Sequence, residues 1–127
     1  MQNIFLIGLG GFIGTILRYI LSGLVQQSIK DVSFPYGTLT VNLLGCLVIG
    51  FLSYLSENHG ILPGMQRQFV FIGILGGFTT FSSFMNESAR LAADSETLLT
   101  FLNIALHITF GLVAVWAGRW MAHSLWR

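Results

Sequence analysis

The sequence predicts an all-α membrane protein with four transmembrane helices in a single domain covering residues 1–127. Two observations support this fold class. The chain is 54% hydrophobic and only 9% charged, whereas a soluble domain carries about 25% charged residues. Its apolar residues are collected in four blocks, each close to the roughly 20 residues that cross the hydrocarbon core as a helix. The predicted helices are about 3–25, 36–56, 62–92 and 97–122.

The first two apolar blocks read as ordinary membrane helices. In the first block, no charged side chain precedes Arg18. This block has neither a basic leading region nor a small-residue cleavage site, so a cleavable signal peptide is not expected. Gly10 and Gly14 are four residues apart, a spacing that lets two helix backbones approach closely. Pro35 precedes the second block, where a proline is tolerated at the start of a helix.

The third block is apolar enough to span the bilayer, but its centre reads GGFTTFSSFMN, from Gly76 to Asn86. Two glycines, four hydroxyl residues and three phenylalanines make a poor helix, so we predict a break between Gly76 and Thr80. Unwound backbone is tolerated at membrane depth only where protein, water or an ion satisfies it. The segment is therefore the strongest candidate for a functional site.

Three of the predicted helices carry polar side chains at helical spacing. These residues are Thr38 and Asn42 in the second helix, Thr80, Ser83 and Glu87 in the third, and Asn103 and His107 in the fourth. Phe81 and Phe84 form a neighbouring row. Intramembrane polar groups are costly unless they find partners or line a wet cavity. Each residue therefore either bonds to another helix or lines a path, and the residues alone leave both readings open.

The chemistry of these side chains is compatible with a small anion as the cargo of such a path. A cation path would show rings of carboxylates or many carbonyls, whereas hydroxyls, amides and the positive edge of a phenyl ring suit an anion. Two alternatives stay open: a small proton-coupled multidrug transporter of dual topology, and a non-transporting assembly subunit. The position of Glu87, past the middle of its helix, disfavours the transporter.

No catalytic or nucleic-acid-binding pattern occurs in the sequence. A single cysteine, three scattered histidines and no acidic pair at ligand spacing argue against a metalloenzyme or a hydrolase. We therefore expect a protein that is not an enzyme and has no nucleic-acid partner.

The basic residues do not fix an orientation in the membrane. With four spans, one side receives Arg67, Arg119 and Arg127, and the other receives Arg18, Lys30 and Arg90. An excess of basic residues on one side ordinarily sets the topology. Here each side has three basic residues, so neither side has an excess. Either the folding of the helices fixes the topology, or the chain inserts both ways up.

Three motifs resemble signatures of the CrcB/Fluc family of fluoride channels. They are GGFIGTILRY at 10–19, GTLTVNLLGC at 37–46 and GGFTTFSSFMNE at 76–87, and the likeness extends over essentially the whole chain. The resemblance implies an antiparallel, dual-topology homodimer with two pores that exports fluoride passively across the bacterial inner (cytoplasmic) membrane. It also implies a structural Na⁺ at the dimer interface.

The resemblance also assigns roles to individual residues. It implies that the pore is lined by the ring edges of Phe81 and Phe84, by Asn42 and by the hydroxyls of Thr80 and Ser83. Thr38, Asn103 and His107 are further expected pore residues, and Arg18 and Glu87 are expected charges in the vestibules. The carbonyls of Gly76 and Thr79 are expected to hold Na⁺. Gly111 departs from the family, which often has serine there, and positions 103 and 107 vary within it.

Overall fold

The computed structural model describes residues 2–29 and 33–126, and no strand occurs within these ranges. The helices are α1 (Gln2–Ser28), α2 (Tyr36–His59), α3 (65–78), α4 (Phe81–Ala93) and α5 (Thr97–Leu125). α3 and α4 together form one apolar stretch, Met65–Ala93, and with the other three helices they give four candidate membrane spans. The predicted four-helix fold is confirmed. Lys30 and Arg127, which enter the predicted charge balance, lie outside the described residues.

The helices associate as two close pairs, α1 with α3 and α2 with α5. Glycines line the first pair: a Cβ on Gly10 would lie 2.7 Å from the carbonyl oxygen of Phe69, and one on Gly77 would lie 2.6 Å from that of Gly11. Backbone approach this close is possible only where side chains are missing, as in other membrane helix pairs rich in small residues. The predicted role of the glycine spacing in helix contact is therefore observed.

The third span has three conformations along its length. Residues Gln68–Leu75 form a π-helix, a rare form that is often found at functional sites, and Gly76–Phe78 returns to α-helix. Thr79 and Thr80 are then extended, with φ/ψ of −85°/158° and −149°/111°, before α4 begins. The break therefore lies within the predicted stretch and is two residues long.

The cause of the break differs from our interpretation of the sequence. We expected the glycines to unwind the helix, but Gly76 is α-helical, with φ −63° and ψ −36°. Gly77 is also helical, and it packs against the backbone of Gly11. The glycines bring α3 close to α1, and the extended backbone belongs to the two threonines that follow them.

Large apolar side chains cover the outside of the four helices. Tyr19 is 82% exposed, Trp116 70% and Trp120 69%. A soluble monomer rarely exposes apolar patches on this scale, whereas hydrocarbon solvates them well. The composition of the surface therefore agrees with four membrane-spanning helices.

Candidate functional site

The break between α3 and α4 is held by the side-chain amide of Asn42 on α2. The N–H of Thr80 donates to Oδ1 of Asn42 at 2.8 Å, and Nδ2 of Asn42 donates to the carbonyl of Thr80 at 3.0 Å. Buried backbone groups need such partners, and hydrocarbon cannot supply them. The Asn42 amide thus pairs with both backbone groups of Thr80, and its oxygen takes the place of the helical acceptor that the Thr80 N–H loses at the break.

The two threonines at the break satisfy the neighbouring helix ends. The hydroxyl of Thr80 accepts from the N–H of Ser83 at 3.2 Å and donates to the Ser83 hydroxyl at 3.0 Å, so Thr80 is the N-cap of α4. The N–H and the hydroxyl of Thr79 both donate to the carbonyl of Leu75, each at 3.0 Å. The hydroxyls that looked like pore lining in the sequence therefore also stabilise the break.

Arg18 brings a positive charge to the break. Its Nη1 donates to the carbonyl oxygen of Thr79 at 3.2 Å, and a hydrogen bond from a charged donor is stronger than one between neutral groups. The sequence assigned Arg18 to a vestibule, and it gave no indication of this contact across 61 residues.

Two grooves adjoin the break. The first, of about 370 Å³, is called here the Phe groove. Its walls include Asn42, Thr80, Phe81, Phe84 and His107. The second, of about 410 Å³, is called the hydroxyl groove. Its walls include Arg18, Thr38, Thr80, Ser83 and Glu87. Thr80 lines both grooves, so the structure gathers most of the predicted site residues around one point.

The two phenylalanines of the Phe groove have different environments. Phe81 is 73% exposed, whereas Phe84 is only 5% exposed. Their rings meet edge to face, with centroids 5.7 Å apart and an angle of 70°. The ring of His107 stacks on Phe84 with centroids 4.1 Å apart and an angle of 24°. Phe81 is therefore open to the groove, and Phe84 is enclosed between two rings.

The hydroxyl groove continues towards one end of the helices. The Thr38 hydroxyl donates to Oε1 of Glu87 at 2.6 Å, while Oε2 of Glu87 is buried without a hydrogen-bond partner among the described residues. Both side chains also line a further groove of about 520 Å³, which extends past Arg90 to Asp94. A continuous row of polar side chains thus leads from Thr80 to the end of α4.

Asn103 lines neither groove, although the sequence placed it with the polar path. It has no exposed surface, and its Nδ2 donates to Oγ of Ser88 at 2.9 Å. Our reading of the sequence missed Ser88, although it stands four residues after Phe84 and therefore on the same face of α4.

The carbonyls at the break are the groups that suit a cation. The N–H of Thr80 donates to Asn42 and not, as in a continuous helix, to the carbonyl of Gly76. The carbonyl of Thr79 accepts from Arg18, and a carbonyl oxygen has a second lone pair. In the part of the chain that the structure describes, no group of three His, Cys, Asp or Glu residues could hold a metal ion.

Comparison with known proteins identifies the family. The profile of a family described as "CrcB-like protein, Camphor Resistance (CrcB)" matches residues 5–119. The fluoride-specific ion channel FluC 3 of Methanosarcina barkeri is 44% identical over 96% of this chain and 91% of its own length. FluC 1 of Methanosarcina acetivorans is 46% identical over 98% and 94%, and FluC of Flavobacterium psychrophilum is 39% identical over 98% and 100%. These relatives are named for ion conduction and not for a catalysed reaction, which confirms the prediction that the chain is not an enzyme. The chain therefore belongs to the CrcB-like family of multi-pass membrane proteins.

Proposed function

We propose that the protein is a fluoride-selective channel that exports fluoride passively across the cytoplasmic membrane. The observation that carries this proposal is the similarity, over nearly the full length, to relatives named fluoride-specific ion channels. The neutral donors around the break are chemically suited to this cargo, because fluoride is a small anion that accepts hydrogen bonds. The same similarity favours a channel over a proton-coupled multidrug transporter.

In this proposal the ion passes along the two grooves that share Thr80. The lining groups are neutral donors and ring edges, contributed by Thr38, Asn42, Thr80, Phe81, Ser83 and Phe84. An NH₂ group has two N–H bonds, and Asn42 uses one of them on the carbonyl of Thr80, so in this proposal the second, which has no partner among the described residues, points to the ion. Arg18 lies at the break and Glu87 farther along the hydroxyl groove, where they supply the charges of the vestibule.

A second copy of the chain, inserted the other way up, completes each path in this proposal. Phe81 is 73% exposed although it lines the Phe groove, so the groove of a single chain lacks a wall on that side. The even distribution of basic residues fits an antiparallel homodimer with two pores, since no orientation is favoured. A reporter fused to the C-terminus should appear on both sides of the membrane. Labelling on one side alone would contradict the antiparallel dimer.

The family resemblance also implies a structural Na⁺ at the dimer interface, and the carbonyls of Gly76 and Thr79 are the groups that would hold it. Their chemistry fits, because oxygen atoms of unwound helix segments are suitable Na⁺ ligands. The Gly76 carbonyl lacks its helical partner, and the Thr79 carbonyl keeps one lone pair beside Arg18. When bound, the ion would offset the partial negative charges of these two carbonyl oxygens.

Fluoride release from liposomes tests the proposed function. Liposomes containing the purified protein are loaded with fluoride, and efflux is recorded with a fluoride electrode, with and without an imposed proton gradient. We expect fluoride to leave down its own gradient in both conditions, because a passive channel needs no coupled proton. Efflux no faster than from protein-free liposomes, or efflux only with a proton gradient, would contradict the proposal.

A further inference from the structure

Four side chains close a circuit between α4 and α5, which we call the α4–α5 brace: Phe84, Ser88, Asn103 and His107. The Ser88 hydroxyl donates to the carbonyl of Phe84 at 2.8 Å, and Nδ2 of Asn103 donates to Oγ of Ser88 at 2.9 Å. Nδ1 of His107 lies 2.9 Å from the carbonyl oxygen of Asn103. The circuit closes where the ring of His107 stacks on Phe84, with centroids 4.1 Å apart.

The hydrogen bonds of the brace determine which atom of His107 carries the proton. A carbonyl oxygen only accepts, so Nδ1 must be the donor to Asn103. In the neutral ring Nε2 is then an acceptor, and it is buried without a partner among the described residues. Oδ1 of Asn103 is another buried acceptor without a partner there. With the ring neutral, the atoms left over in the brace are acceptors, which cannot donate a hydrogen bond to an anion.

The position of His107 suits a different task. Its ring covers one face of Phe84, and Phe81 meets Phe84 from another side at an angle of 70°. The imidazole lies at only 24° to the Phe84 ring, so stacking orients Phe84, and another aromatic ring in this place would do the same. Apolar side chains would fill this space without leaving two buried acceptors unpaired, which is costly. The flat ring of His107, and not its nitrogens, is therefore the part of the side chain that the contact with Phe84 uses.

We propose that His107 is a positioning residue that sets the orientation of the Phe84 ring and does not itself contact the conducted ion. This inference rests on the proposed function, in which the edge of Phe84 faces fluoride. It assigns to His107 a task distinct from that of the hydroxyl and amide donors, and it makes the ring, not the nitrogen, the essential part of the side chain.

Two substitutions separate the ring of His107 from its nitrogens. His107→Phe keeps a ring that can stack and removes both nitrogens, whereas His107→Gln keeps a polar group near the position of Nε2 and removes the ring. We expect His107→Gln to lower fluoride efflux by up to about ten-fold, the scale of an aromatic pair, and His107→Phe to lower it by less than about three-fold. Direct contact of the imidazole with the ion predicts the opposite order, and that order would overturn the proposal.

A second measurement does not depend on conduction. The ring-flip rate of Phe84 is measured by NMR in micelles with labelled phenylalanine, the signal being assigned by its loss in Phe84→Leu. We expect faster flipping in His107→Gln than in the wild type and in His107→Phe, and equal rates in all three proteins would overturn the proposal. Elution of each variant at the wild-type volume in gel filtration controls for folding, and His107→Tyr replaces His107→Phe if that variant aggregates.

The two proposals fail in distinguishable ways. A wild-type protein that releases no fluoride would contradict the proposed function, while the ring-flip rates would still test the orientation of Phe84 by His107. A wild-type protein that conducts fluoride, together with a His107→Phe variant that does not, would contradict only the positioning role.

Discussion

Asn42→Leu tests how the break in the third span is held together. Leucine has the branched shape of asparagine but forms neither of the bonds at 2.8 and 3.0 Å that join Asn42 to the backbone of Thr80. Side-chain hydrogen bonds between membrane helices contribute about 0.6–1.7 kcal/mol each, or about 1–3 kcal/mol for two. The Thr80 N–H, which has no helical acceptor at the break, would by itself cost about 1–3 kcal/mol if left unpaired. We expect a loss of about 1–3 kcal/mol of unfolding free energy, the range on which the two estimates agree.

Reversible unfolding in mixed micelles, with dodecyl sulfate as the denaturant and circular dichroism as the signal, measures this loss. Asn58→Leu is the matched control: Asn58 is exposed, and among the described residues it bonds only to the carbonyl of Tyr54, at 2.9 Å on its own helix. The control should change stability by no more than about 0.5 kcal/mol, as surface substitutions usually do. If Asn42→Leu cost no more than the control, our account of the break would be wrong.

Three further predictions follow from the packing, the pore and the cation site. Gly14→Ala should cost about 1–3 kcal/mol of stability by overpacking, since the new Cβ would meet the carbonyl of Ile74. The control Gly11→Ala should be neutral, because a Cβ there has open space. Equal losses of stability for the two variants in micellar unfolding would contradict this prediction. Phe81→Ile should lower fluoride efflux at least about ten-fold with folding retained, because it removes the polarised ring edge. Efflux at the wild-type rate would show that Phe81 only packs against its neighbours. Thr79→Ala should preserve the dependence of dimer stability on Na⁺, because the carbonyl remains, and its loss would point to a side-chain site.

The four spans were predictable because hydrocarbon imposes one requirement on all of them: each span must present apolar side chains and satisfy its own backbone hydrogen bonds. An apolar helix of about 20 residues is nearly the only local structure that meets this requirement, so the composition and the four apolar blocks together identified the fold. The ends of the helices were less accurate, since α1, α2 and α5 end at Ser28, His59 and Leu125, each three residues beyond the predicted ends at 25, 56 and 122. Polar residues near the membrane surface can continue a helix that the apolar pattern no longer indicates.

The candidate site was predictable where its residues share one helix and not where they meet across helices. Helical spacing placed Thr80, Ser83 and Glu87 together, and the structure brings all three to the hydroxyl groove. The contact of Arg18 with the carbonyl of Thr79 joins residues 61 positions apart and follows from the packing of α1 on α3. No local pattern could have indicated it.

Gly76 and Gly77 show a second limit of predicting structure from the sequence. Gly76 and Gly77 are compatible both with an unwound segment and with close helix contact, because the absence of a Cβ permits either. Packing against Gly11 decides between them for Gly77, and that contact depends on the position of another helix. For the same reason the sequence did not distinguish Asn103, which is enclosed between helices, from Asn42, which borders a groove.

Halide selectivity is the measurement that tests the central claim most directly. Fluoride is small and strongly hydrated, so closely placed neutral donors can replace its water, while a larger halide pays for dehydration without a comparable gain. Liposomes containing the purified wild-type protein are loaded with fluoride or with chloride, and the efflux of each ion is recorded under the same driving force. The account predicts rapid release of fluoride and release of chloride close to that of protein-free liposomes. Comparable fluxes of the two ions would contradict it, however closely the sequence matches its relatives.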